Sequence, residues 1–177
     1  MADLSIIEPR FTADNDRLSE DQASQALHAA PLDQPLIVPL HALLKQAQLS
    51  WVAKMKAALR GKTGLTKTLE FNSSLLVVMN REALRGRAIV LLGQGDDIAL
   101  HRIAQQLPFT AHMLDKTPDT QALSAQWPAG FIYVGSTGHD LPFWQAARSA
   151  VGVNLSTKTA KALAAFGKPM VLLSAPR

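Results

Sequence analysis

From residue 36 onward, short apolar runs alternate with stretches of helical spacing, a rhythm that few folds can accommodate. The runs are Leu36 to Pro39, Ala88 to Leu92, Thr110 to Leu114, Phe131 to Val134, Ala150 to Val153 and Met170 to Leu173. All are of strand length, and nearly continuous apolar strands need cover on both faces, which helices supply in β-α-β units. The expectation is an α/β three-layer sandwich, Rossmann-like, with a parallel sheet. A chain of 177 residues that is 47% hydrophobic is long enough for one well-buried core.

The helix boundaries follow from local chemistry. Thr117-Pro118-Asp119 reads as an N-cap followed by proline at the first helical position, opening a helix through Trp127 that Pro128 and Gly130 end. Ser156 or Thr157 opens Lys158 to Phe166, and Asp96-Asp97 caps the helix that begins at Ile98. Residues 1 to 34 have weak apolar periodicity apart from a short helix at Asp21 to Ala29, so they read as a partly ordered acidic extension. Residues 35–177 then form the main domain, with a small insert at about 45–84.

Charge is unevenly distributed. Residues 1 to 35 hold seven Asp or Glu against Arg10 and Arg17, a balance of −5, which leaves +9 for the rest of a chain of net charge +4. Between Lys45 and Arg87, nine Lys or Arg meet only Glu70 and Glu82. Such a block suits an anionic surface or the chain's own acidic stretch, and equally a solvated face. Lys54, Lys56, Arg60, Lys62 and Lys67 are its candidate binding residues. Leu49, Val52, Met55 and Leu59 recur at helical spacing beside Trp51, a pattern that fits a helix packed on the core by its apolar side and also an interfacial membrane contact. With only Trp51 and Phe71 as aromatics there, a stacking platform for nucleic acid is not expected.

The chain has no cysteine, which excludes disulfides and thiolate metal sites. Met1 to Ser5 lacks the basic start of a signal peptide, and no apolar stretch reaches the roughly 18 residues of a membrane span, so the cytoplasm is the expected compartment, with peripheral membrane contact as its extension.

Several stretches resemble the haloacid dehalogenase superfamily, and in particular the domain of that type fused to or encoded with UbiA-type prenyltransferases. Tyr133-Val134-Gly135-Ser136-Thr137-Gly138-His139-Asp140-Leu141-Pro142 is similar to the family's last motif, Gly-Asp-Ser, two variable residues, then Asp-Leu-Pro. Val151 to Ser156 resembles the strand after it. Arg85 to Leu92 resembles the second-motif strand, Pro35 to Leu44 aligns with the opening strand and its Asp-x-Asp-Gly-Thr-Leu loop, and Ala57 to Lys62 with Leu65 to Leu69 resembles a minimal helical cap.

The resemblance implies a phosphoryl-transfer site in which a carboxylate attacks phosphorus, a second carboxylate acts as general acid and base, Mg²⁺ neutralises charge, and a hydroxyl and a lysine grip the phosphoryl oxygens. Pro39 stands at the nucleophile position and His41 at the acid/base position, while Gly93 replaces the hydroxyl. Ser136 replaces the first Asp of the last motif; Asp140 and Lys116 match the remaining carboxylate and lysine. One carboxylate holds a hard octahedral cation poorly, so Mg²⁺ is expected to be lost. The expectation is a degenerate site in a binding, scaffold or regulatory protein, with a membrane prenyltransferase as the implied partner; the rival is a phosphatase with altered chemistry. Asp14-Asn15-Asp16 supplies an Asp-x-Asp, but without a preceding apolar strand or a following Gly-Thr-Leu.

Other constellations are weaker. His41, His112, His139 and Asp140 would gather at carboxyl ends of strands and could take a transition metal, although their spacing marks no particular metal site. Gly93-Gln94-Gly95 is followed by Ile98 where a dinucleotide fingerprint needs its third glycine. No Gly-x-Ser-x-Gly elbow is present. Leu141, Phe143 and Trp144 are expected to anchor the last motif against the sheet.

Overall fold

A computed structural model describes residues 20–44, 70–93 and 97–173. Six parallel strands form its sheet: β1 (Leu36–Pro39), β2 (Ile89–Leu92), β3 (His112–Leu114), β4 (Ile132–Gly135), β5 (Ser149–Val153) and β6 (Met170–Leu173), in the order β3-β2-β1-β4-β5-β6. The strands coincide with the six apolar runs to within two residues at each end.

Alternation along the strands divides the core in two. Leu36, Val38, Ile89, Leu91, Ile132, Val134, Val151, Val153, Val171 and Leu173 face one side. There they meet Ala23 and Leu27 of α1 (Glu20–His28), Leu75, Val78 and Met79 of α3 (Ser73–Leu84), and Leu100 and Ile103 of α4 (Asp97–Gln105). Ile37, Val90, Leu92, Tyr133 and Ala150 face the other side, against Leu123 of α5 (Thr120–Gln126), Trp144 of α6 (Leu141–Ala146) and Leu163 of α7 (Thr157–Ala164). This period of two puts apolar side chains into both helical layers, so the sandwich follows from the strand sequences. The short α2 (Leu40–Leu43) follows β1 directly.

The chain starts in the middle of the sheet, winds outward to β3, then crosses back beside β1 and winds the other way. The reversal falls between the carboxyl ends of β1 and β4, the place where open α/β sheets form a crevice and put ligands.

Part of the acidic N-terminal stretch belongs to this packing. Helix α1 lies against α3 and β6, and Leu27 is buried. The C-terminal end of α1 and the turn after it are tied down by Arg87, which is 2% exposed. Its Nε donates to Glu82 at 2.6 Å, and its terminal nitrogens donate to the carbonyls of Leu27, Ala30, Pro31 and Gln34 at 2.6 to 3.2 Å. A guanidinium has five N–H groups, and here five acceptors meet them. Arg81 also pairs with Asp21 at 2.6 Å, joining the acidic stretch to the basic one.

Within the stretch expected to carry an insert, residues 73–84 form α3, the crossover helix between β1 and β2. Lys54, Lys56, Arg60, Lys62 and Lys67 lie outside the described residues, as do Asp14, Asp16 and Trp51. Among the described residues, no helix is long and apolar enough to cross a membrane.

The cap at α5 differs from the sequence expectation. Asp119, not Thr117, is the N-cap, and its carboxylate accepts from the Ala122 amide at 2.7 Å. Thr117 instead donates its hydroxyl to the Gly93 carbonyl at 3.0 Å, bracing the loops after β2 and β3 against each other. Ser156 caps α7 as one of the two expected residues, accepting from Thr159 at 3.2 Å.

Candidate functional site

The crevice at the sheet's reversal is built around Asp140. Beyond β4, the chain makes one 3₁₀ turn (Gly138–Asp140) before α6, with the Asp140 amide donating to the Thr137 carbonyl at 3.1 Å. That turn folds Asp140 back over the end of its own strand, where it is 2% exposed. Gly135 permits the approach: a Cβ there would sit 2.7 Å from Asp140 Cβ and 2.6 Å from Trp144 Cζ2. Trp144 is fully buried beneath, and its Nε1 donates to the Tyr133 carbonyl at 3.2 Å. Tyr133 stacks on Phe143 with centroids 4.9 Å apart. The aromatic residues of the loop thus anchor it to the sheet.

Both oxygens of the Asp140 carboxylate are occupied. Oδ1 accepts from the Tyr133 hydroxyl at 3.2 Å and lies 3.1 Å from His41 Nε2. Oδ2 lies 3.0 Å from the same nitrogen and accepts from the Ser136 and Thr137 amides, each at 2.9 Å, and from the Thr137 hydroxyl at 3.2 Å. An ionised carboxylate offers about four lone-pair sites, and these contacts fill them. Because that carboxylate only accepts, His41 Nε2 is the protonated ring nitrogen facing it, and Nδ1 is the ring's other position.

The electrostatics follow from these contacts. Burial acts to raise the pKa of Asp140, but the hydrogen bond and charge of His41, joined by the Thr137 and Ser136 amides, outweigh it and hold the carboxyl below its ordinary value. Burial and the adjacent Asp140 charge together push the Tyr133 phenol far above its ordinary value, so it remains a donor.

His41 reaches Asp140 from α2, across 99 residues of sequence. Its side chain is 25% exposed, in contrast to Asp140. Pro39 ends β1 immediately before α2. Gly93 follows β2, and a Cβ there would lie 2.8 Å from the Asp115 carbonyl oxygen, so the backbone leaves no room for a hydroxyl-bearing side chain without a shift. Ser136 contributes its backbone amide to Asp140. Lys116 is exposed on the loop after β3, an edge strand two places from β1.

The four residues weighed as a transition-metal set are not all brought together. His41 and Asp140 meet, but His112 opens β3, at the amino end of an edge strand opposite Val90, rather than at a carboxyl end. His139 is exposed on the 3₁₀ turn. Among the described residues, no group of three His, Asp or Glu is placed to hold a metal ion.

Tyr133 and the Thr137 hydroxyl are members of the site that the motif pattern alone did not single out. The available signal was that Tyr133 lies on β4 facing the same helical layer as Trp144. A comparison with family models, with characterised proteins and with solved structures finds no match to this chain.

Proposed function

We propose that the chain is a haloacid dehalogenase-type protein whose catalytic site has become a structural one, acting as a binding, scaffold or regulatory subunit. The observation that carries this reading is the saturation of Asp140. The carboxylate matching the family's remaining metal-orienting residue has its acceptor capacity taken up by His41, Tyr133, Ser136 and Thr137. Mg²⁺ coordination would require breaking several of those bonds. Pro39 offers no nucleophile, and the crowded backbone at Gly93 supports the loss of the phosphate-gripping hydroxyl. The sheet order and the crevice between β1 and β4 are compatible with the resemblance. The partner, a membrane prenyltransferase or another polyprenyl-lipid enzyme, rests on the resemblance alone, and an anionic lipid surface rests on the basic block.

A second reading has one observation in its favour. A carboxylate that orients an imidazole is the arrangement of a general base, and His41 keeps a quarter of its side chain exposed at the crevice. The same experiment separates the two. Purified protein is assayed on a panel of phosphomonoesters with Mg²⁺, Mn²⁺ and Co²⁺, beside His41→Asn and Asp140→Asn. The structural-site reading expects no turnover above a matched blank in any of them. Turnover in the wild type that vanishes in both variants would establish the altered enzyme instead.

A further inference from the structure

A second feature lies at the opposite end of the sheet, where β4, β5 and β6 begin. A cavity of about 390 Å³ opens there, lined by Ser124, Trp127, Gly130, Phe131, Arg148 and Lys168 among others. That volume falls in the range of small-molecule sites. Two cations share it, and none of its described lining residues is acidic.

Lys168 is held by its ammonium, Arg148 by its backbone and stem. Lys168 Nζ donates to the Gln145 carbonyl and, at 2.7 Å, to the Ala147 carbonyl, at the C-terminal end of α6. An ammonium has three N–H groups, so one is left over. Arg148 is fixed differently: its amide donates to the Phe131 carbonyl at 2.9 Å, and its stem crosses Gly130. A Cβ on Gly130 would lie 2.2 Å from Arg148 Cγ, and Gly130 has φ +100°, a backbone conformation suited to glycine. The Arg148 guanidinium pairs with no carboxylate among the described residues. Burial first, and the charge of Arg148 second, hold the Lys168 ammonium below its ordinary pKa, which is the state an incoming anion would relieve.

We propose that this cavity binds a small organic phosphate or carboxylate, with Arg148 and the remaining Lys168 N–H holding the anion and Trp127 and Phe131 bordering its apolar part. A planar guanidinium fork beside a compact ammonium suits an oxyanion, and half-buried Trp127 supplies apolar wall that inorganic phosphate alone would leave uncovered. The site stands at the amino ends of the strands, away from the His41–Asp140 crevice, so it is a second site that does not depend on the chemistry proposed there.

The test uses the full chain and NMR titration with phenyl phosphate, benzoate and phenol. Phenyl phosphate or benzoate should shift the Gly130, Phe131 and Arg148 amides and the Trp127 indole saturably below about 10 mM. The tighter of the two identifies the anion. Arg148→Gln should weaken that binding by about tenfold or more, and Arg148→Glu should abolish it. Arg148 is exposed, so both variants should keep the wild-type fold, checked by thermal unfolding. Lys158→Gln, at the other end of the sheet, should leave affinity unchanged. Absence of saturation with either anion, equal affinity for uncharged phenol, unchanged affinity in Arg148→Glu, or an equal loss in Lys158→Gln would each overturn the proposal.

Discussion

Two buried acids organise this molecule, and their surroundings differ in an instructive way. Glu82, fully buried, faces Arg87 at 2.6 Å and Arg85 at 3.2 Å, and the Arg87 guanidinium is as inaccessible as its partner. Asp140 is similarly buried, but the side chain it holds, His41, is partly open to a crevice. Burial of a charge therefore does not distinguish a structural pair from a site. The difference lies in what remains available: Arg87 has used its N–H groups on Glu82 and four carbonyls, whereas His41 retains a ring position and access.

If the Arg87 cluster is a structural tie, its removal should be among the most damaging single changes. Arg87→Ala leaves buried Glu82 with only the longer contacts to Arg85 and His28 and strips four carbonyls of their donor, and should cost about 3–5 kcal/mol in denaturant unfolding. Trp144→Ala should cost a comparable 3–5 kcal/mol or so, since the indole is fully buried beneath the site loop. A loss under about 1 kcal/mol for Arg87→Ala would mean that α1 and its following turn are not held as the contacts indicate.

Asp140→Asn should cost less, about 1–3 kcal/mol, because His41 can reach water when it loses its partner. An equal or greater cost than Arg87→Ala would erase the distinction between the two regions. The cost should also depend on pH. The Asp140 pKa is depressed on folding, so its contribution is fully present above the unfolded value, about 3.9, and is lost as pH falls through the lower folded value. The stability gap between wild type and Asp140→Asn should thus narrow as the pH falls below about pH 4.

The smallest effect sharpens the contrast from the other side. Arg81 and Asp21 pair at 2.6 Å with side chains 41% and 76% exposed. A double-mutant cycle on Arg81→Ala and Asp21→Ala should give a coupling of about 0.2–1 kcal/mol that fades with added salt.

The sheet was legible because its four inner strands are apolar runs buried on both faces, and runs such as Leu36 to Pro39 have no competing helical period. Helix α1 was legible as a short helix, expected at Asp21 to Ala29 and found at Glu20–His28, but its place in the packing was not. Its packing depends on Arg87 meeting backbone carbonyls of residues 27–34, and carbonyls leave no trace in side-chain pattern; in sequence Arg87 is one more positive charge in a basic block. The Thr117 misassignment has a similar origin, since a hydroxyl capable of capping was drawn instead to the Gly93 carbonyl. At the site, Asp140 and Ser136 were singled out by the motif pattern. The meeting of Asp140 with His41 was anticipated only through the resemblance, which placed both at carboxyl ends of strands; the residues alone do not show it, because only the order β1-β4 in the sheet brings positions so distant in sequence together.

The central proposal is that the Asp140 carboxylate, engaged by His41, Tyr133, Ser136 and Thr137, does not serve a divalent cation. Titration of the wild type with Mn²⁺, followed by paramagnetic broadening of the Ser136, Thr137 and Asp140 amides, tests it most directly. The account predicts no saturable broadening at these amides beyond that of exposed acidic residues elsewhere. Saturable, selective broadening that disappears in Asp140→Asn would contradict it.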